Sequence, residues 1–305
     1  MPKQTIKTYN QKEFTGEFMP PVETQQLLKG GFGNFFIVKV EEMYKLIKRP
    51  VPASRSTSHT VIYLTEGKAN MHIGSGKYTI HAHEMLFVPA GQVFSFGKGD
   101  VNKGYLCNFT NDMLVGKFGN TELLNEFEFL RIWGNHKISL GKQTSQFILH
   151  ILKRIFLEYN TSGLDNISII HPYFITLLCE VNNTYKPLPG NGKTAAINIT
   201  NQFRELISKH IKTKQLVADY AALLHVSPNH LNKCVKEVTQ KPATKWIDET
   251  LVLEAKVLLS QSSLPISEVA DAVGIEDPSY FARLFKKYEG VTPTAFRQMI
   301  ETSYT

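Results

Sequence analysis

The last third of this 305-residue chain repeats itself, and the repeat limits the fold more than any single element does. Tyr220-Ala221 falls on Val269-Ala270, Leu224 on Val273 and Val226 on Ile275. After a one-residue insertion, Pro228 falls on Pro278, Leu231 on Phe281, Lys233 on Arg283 and Lys236 on Lys286. Each copy predicts a short helix with one apolar face, a tight turn and a second helix. Ser227-Pro228 and Asp277-Pro278 supply an oxygen acceptor at the N-cap and a proline at the first helical position. Gly274 permits a sharp turn in the second copy, where the first has the less permissive His225. Small Ala221 and Ala270 let the paired helices approach closely. The pattern is a helix-turn-helix, made twice.

Between the copies, Trp246, Ile247, Leu251, Ala255, Leu258 and Leu259 form one apolar stripe, which predicts a long connecting helix. A rigid pair of such units can enter two successive major-groove segments on one face of DNA, about 34 Å apart.

The second copy, "ISEVADAVGIEDPSYFARLFKKYEGVTPTAFR", and above all its run "FKKYEGVTPTAFR", resembles the signature of the AraC/XylS family of bacterial transcription regulators. The resemblance is strong from Asn198 to Gln298 and looser in the N-terminal part. In the first copy Gln240 stands where the family usually has glycine, and Cys234-Val235 replaces a commoner aromatic pair. The resemblance implies a cupin-like sensor domain ahead of a double helix-turn-helix domain that binds double-stranded promoter DNA, with RNA polymerase as a further partner if the protein activates. By the family pattern, Asn229, Asn232 and Lys233 match base-reading positions of the first unit, and Pro278, Ser279, Ala282 and Arg283 those of the second. Asparagine can pair with adenine, and lysine or arginine with guanine. The expected DNA-binding set is Asn229, His230, Asn232, Lys233, Lys236, Ser279, Arg283, Lys286 and Lys287. The first unit carries more of the sequence information; the second relies on Arg283 with phosphate contacts from Lys286 and Lys287.

Up to about Phe109 the chain reads as short β-rich pieces. These are "NFFIVKV", "HTVIYLT", "ANMHIG", "KYTIHA", "EMLFVPAG" and "QVFSF", punctuated by the turn-like "EGK", "GSGK" and "PAGQ". The spacing predicts a jelly roll or barrel over about 31–110. Helices follow over about 112–185, with Phe147, Ile151, Ile155 and Tyr159 as one stripe, then Phe174, Leu177, Leu178 and Val181 as a second, which His171-Pro172 opens. "KPLPGNGKT", 186–194, is the expected linker. The fold class is therefore two-domain: an all-β cupin-like jelly roll with appended helices over 1–185, and an all-α double helix-turn-helix domain over 195–305.

"HAHE" at His81–Glu84 raises the question of a metal. In a strand His81 and His83 share a face and Glu84 takes the other. A cupin-type site draws a His-x-His pair and an acid from one motif and another histidine from a second. Here the earlier strand offers only His59, and Phe94 stands where the last histidine belongs, so no metal, cofactor or catalytic group is expected. A small barrel can instead hold a small-molecule effector, with Arg55, His59, Tyr63, Phe94 and Phe96 as candidate lining residues. The helices over 144–160 and 172–185 resemble those that pair sensor domains in the family, so a homodimer is expected through them, unless both stripes pack on their own barrel.

Charge does not single out the DNA-binding part. The net charge is +7, but from Ala195 to Thr305 there are 13 Lys+Arg against 12 Asp+Glu, a net of +1. Placement matters more: Pro228–Lys245 holds four Lys and one Glu. Three widely separated cysteines give no disulfide framework or zinc knuckle. No apolar run is long enough for a bilayer, and "MPKQTIKTYNQKEF" lacks a signal-peptide core, so a cytoplasmic protein without membrane contact is expected. No nucleophile–base pair or phosphate-cradling glycine loop is present. The sequence thus reads as a DNA-binding transcription regulator, not an enzyme. The alternatives are a cupin-type metalloenzyme with an appended DNA-binding module, and a ligand-free regulator set by its own abundance.

Overall fold

The computed structural model describes residues 8–29, 33–47, 49–97, 99–115, 127–132, 134–186 and 195–302. Apart from Lys186, the expected linker lies outside them. The chain divides into two units: one made of Thr8–Val51 and Arg55–Lys186, the other holding the helices from Ala195 on. The first is rich in β-structure and the second is helical.

The first unit is organised by one long strand. In chain order its strands are β1 (Thr8–Tyr9), β2 (Phe35–Lys39), β3 (Val51–Ser56), β4 (His59–Ile73), β5 (Gly76–His81), β6 (Glu84–Val88), β7 (Val93–Phe96), β8 (Asn102–Phe109) and β9 (Lys137–Ser139). The first half of β4 pairs with β6 and β8, and its second half with β5 and β7. "EGK" is therefore not the expected turn. It is the corner where β4 passes from one sheet to the other, with a register shift between Leu64 and Glu66. Gly67 sits there at φ +77, and a Cβ on it would collide with the Val101 carbonyl, so only glycine fits.

Three helices that the strand pattern did not announce interrupt this region: α1 (Gln11–Phe18), α2 (Pro21–Leu27) and α3 (Val40–Leu46). α1 starts in a capping box in which Asn10 Oδ1 accepts the Glu13 N–H and Glu13 accepts the Asn10 N–H. The short α4 (Asn111–Val115) follows β8, and α5 (Lys142–Ser162) and α6 (Ile167–Thr184) close the unit. α6 begins at Ile167, ahead of the expected His171-Pro172 start, and takes Pro172 inside it.

The stripe that α5 buries is Ile148, Leu152, Ile155 and Tyr159. Phe147 is 47% exposed and Ile151 half-buried, so the expected stripe was displaced toward solvent at its first two positions. α6 buries Phe174, Leu177, Leu178 and Val181 as expected. Both stripes pack on their own sheet: Phe174 meets Phe35 at 5.1 Å and Phe109 at 4.7 Å between ring centroids. Each such fully buried side chain contributes about 1.5–3 kcal/mol.

The second unit comprises α7 (Ala195–His210), α8 (Val217–Leu223), α9 (Pro228–Thr239), α10 (Ala243–Gln261), α11 (Ile266–Ala272), α12 (Pro278–Glu289) and α13 (Pro293–Thr302). The repeat holds bond for bond. Leu224 N–H donates to Tyr220 O and Val226 N–H to Ala221 O; Val273 N–H donates to Val269 O and Ile275 N–H to Ala270 O. His225 and Gly274 occupy the same left-handed turn position, at φ +54 and +90. Gln240 and Gly290 end α9 and α12 in the same left-handed conformation, and their N–H groups donate to Lys236 O and Lys286 O.

Candidate nucleic-acid interface

In each copy the second helix of the pair is amphipathic. α9 buries Leu231, Cys234, Val235 and Val238, and α12 buries Phe281, Leu284 and Phe285. This leaves Asn229, His230, Lys233 and Lys236 exposed on α9, and Ser279, Tyr280, Arg283, Lys286 and Lys287 on α12. Both helix starts are capped as the sequence predicts. Ser227 Oγ accepts the His230 N–H at 3.2 Å, and Asp277 Oδ1 accepts the Ser279 N–H at 2.8 Å.

Ion pairing sorts the cations. Lys241, in the turn before α10, pairs with Glu249 at 3.0 Å, and Lys256 with Glu289 at 2.7 Å, which ties α10 to α12. Lys287 lies 3.8 Å from Asp248, whose carboxylate also accepts the Tyr288 hydroxyl at 2.9 Å. Among the described residues, Lys233, Lys236, Arg283 and Lys286 have no ion pair, so their charge remains available to an anionic partner.

Asn232 departs from expectation. It is half-buried, and its Oδ1 accepts the Ala243 N–H at 3.0 Å, at the first turn of α10. Bidentate adenine reading needs that same oxygen. The second copy explains the residue: Pro293, which has no N–H, stands in the place of Ala243, and Ala282 in the place of Asn232. Asn232 is thus a helix cap, present where the repeat leaves an N–H to satisfy.

Two features escaped the sequence reading. Tyr280, 46% exposed, shares the solvent face of α12. Lys209, in the last turn of α7, and Lys212 and Lys214, in the loop that follows, have no ion pair among the described residues. Their loop is fixed against the turn of the second copy, because Gln215 Nε2 donates to the Gly274 carbonyl at 2.7 Å and the Val273 carbonyl at 3.2 Å. The run "KHIKTK" carried that signal.

The first unit contains a cavity of about 580 Å³, part of it open to solvent. Phe94 and Phe96 line it; Arg55, His59 and Tyr63 do not. The reason is strand alternation. The cavity takes Ser56 of β3 with Thr60 and Ile62 of β4, whereas the three candidates sit at the intervening positions. His59 is buried in a different contact set. Its Nε2 meets Asn111 Oδ1 at 2.8 Å, its Nδ1 accepts the Ala90 N–H at 3.1 Å, and its ring stacks on Phe109. Burial lowers its pKa to about 4, against the smaller effect of the Asn111 bond, so the ring is neutral at pH 7. The Tyr63 hydroxyl lies 2.8 Å from Ser145 Oγ.

His81–Glu84 is not one strand either. His81 ends β5, His83 turns at φ +67, and Glu84 opens β6. Glu84 accepts the His81 N–H and pairs with Lys137, both at 2.8 Å, while His83 Nδ1 lies 3.0 Å from Ser145 Oγ. Among the described residues no group of three or more His, Cys, Asp or Glu is placed to hold a metal ion, and no helix is long and apolar enough to cross a membrane.

A helix-turn-helix domain model matches residues 220–299. An uncharacterized HTH-type transcriptional regulator, YisR of Bacillus subtilis, is 24% identical over 248 residues, 78% of this chain and 83% of that protein. The arabinose operon regulatory protein of Escherichia coli is 33% identical over 101 residues, 32% of this chain and 35% of that protein. A crystal structure of ToxT from Vibrio cholerae aligns over 88% of this chain and 98% of its own at 12% identity, with a TM-score of 0.45. With the duplicated, cap-matched helix pairs, the helix-turn-helix domain match and the two sequence relatives make this a DNA-binding transcription regulator rather than an enzyme. Residues 220–299 thus match a helix-turn-helix domain, and relatives aligned along most of the chain are transcription regulators.

Proposed function

We propose that this regulator reads promoter DNA with both second helices and is controlled by a small molecule held in its N-terminal unit. Lys233 and Arg283 contact base edges, Asn229, His230 and Ser279 support them at the helix starts, and Lys236, Lys286 and Lys287 neutralise phosphates. The observation that carries the reading is the repeat of the turn's backbone bonds, which presents two equivalent helix faces on which Lys233, Lys236, Arg283 and Lys286 have no ion pair among the described residues. The N-terminal unit over 1–185 is a cupin-like jelly roll, 186–194 is the linker, and 195–305 is the DNA-binding domain. An effector in the cavity shifts a two-state equilibrium in how the DNA-binding domain is presented. Phe147, Leu157 and Tyr173, 47%, 62% and 40% exposed on α5 and α6, offer the apolar face of a homodimer. The protein works in the cytoplasm, and as an activator it also contacts RNA polymerase. Footprinting of the full chain on upstream DNA tests the reading. Two protected major-groove segments one helical turn apart are expected, and a single protected segment would contradict it.

A further inference from the structure

We propose that the cavity selects an uncharged amphipathic molecule, with an apolar ring-bearing body and a hydroxyl, amide or carbonyl end, and excludes carboxylates. This rests on the reading of the N-terminal unit as effector-controlled. None of the side chains that line the cavity carries a charge. Arg55, next to lining residue Ser56, is not among them.

The polar groups gather at one end. Thr60 pairs with Asn108 across β4 and β8, and two residues further on Ile62 pairs with Leu106. All four face the cavity, so the wall runs from polar to apolar along the strands. α1 completes the polar end. Gln11 Nε2 donates to Asn108 Oδ1 at 2.6 Å, and Asn108 Nδ2 donates to Thr60 Oγ1 at 2.9 Å. The Ser56 and Ser58 hydroxyls, 2.9 Å apart, lie beside them in the chain. The apolar part includes Phe94 and Phe96, with rings within 10° of parallel, and Phe14, 5.9 Å from Phe94. A neutral hydroxyl or amide can exchange hydrogen bonds with the Gln11–Asn108–Thr60 chain one for one. A carboxylate entering the same place loses its hydration and finds no cation to replace it.

The test is isothermal titration of the full-length chain at neutral pH with three probes that share one skeleton: 2-naphthalenemethanol, 2-naphthamide and 2-naphthoate. The alcohol and the amide are expected to bind at least tenfold more tightly than the carboxylate. Asn108→Leu should weaken both neutral probes at least fivefold. Gln11→Ala, a milder change on α1, gives the same comparison should Asn108→Leu fail to fold. Naphthoate binding as tightly as the alcohol overturns the ligand class and leaves effector control standing. Absence of binding by all three up to millimolar concentration overturns both.

Discussion

Replacing Asn232 by alanine separates two roles for one side chain, helix cap and base reader. The structure has its Oδ1 accept the N–H of fully buried Ala243 at 3.0 Å. Losing that bond costs about 1 kcal/mol as a helix cap, and up to about 3 kcal/mol if no water replaces it. In a unit of this size each kcal/mol lowers the melting temperature by about 4–8 °C. Thermal melts of the 195–305 unit should therefore fall by at least about 4 °C for Asn232→Ala. The repeat supplies the rescue: adding Ala243→Pro, the solution present at Pro293, removes the orphaned donor and should recover most of the loss. DNA affinity, corrected for folded fraction, should change less than threefold. Base reading by Asn232 predicts the opposite: a loss of about 1–3 kcal/mol in operator binding, altered base preference and an unchanged melt. That outcome, with no rescue by proline, would refute the cap assignment.

Arg283→Ala and Lys233→Ala should each cost about 1–3 kcal/mol in operator affinity and relax base preference at one position, read by competition with single-base operator variants. Lys212→Ala with Lys214→Ala should weaken binding to all sequences alike and reduce the slope of log affinity against log salt by about 2. Gln240→Gly should stabilise the second unit by about 1 kcal/mol, because a left-handed residue at φ +59 no longer carries a Cβ; a lower denaturation midpoint would contradict this. Burial lowers the pKa of His59 and of His136 to about 4, below their ordinary 6.5. The unfolded chain therefore takes up protons first, and stability is full above pH 6.5 and falls as pH drops toward 4. Unfolding free energies from urea titrations at about pH 7 and about pH 5 should differ by about 2 kcal/mol per histidine, and less in His59→Gln.

Local chemistry was legible where one residue type has one use. The Ser-Pro and Asp-Pro caps, the sharp turn at Gly274 and the helix-turn-helix spacing all followed from the repeat. Faces were harder. On β4 the correct side was Thr60 and Ile62, and reading His59 and Tyr63 as lining was a slip of one residue, which reverses every side chain in a strand. On α5, "FILHILKRIF" is apolar on several sides, so periodicity alone could not choose Ile148 and Leu152 over Phe147 and Ile151. Asn232 looked like a base reader because its exposure and its Ala243 partner depend on how the next helix packs. The polar end of the cavity joins Gln11 to Asn108, 97 residues apart, and no local pattern announces it.

Binding of the full-length chain to DNA from upstream of its own and neighbouring genes, across a salt series with random DNA as competitor, tests the central claim most directly. Selective binding that weakens steeply with salt, and loses selectivity in Arg283→Ala, is the predicted result. Binding no tighter than to random DNA across those regions, with or without the 1–185 unit attached, would contradict it.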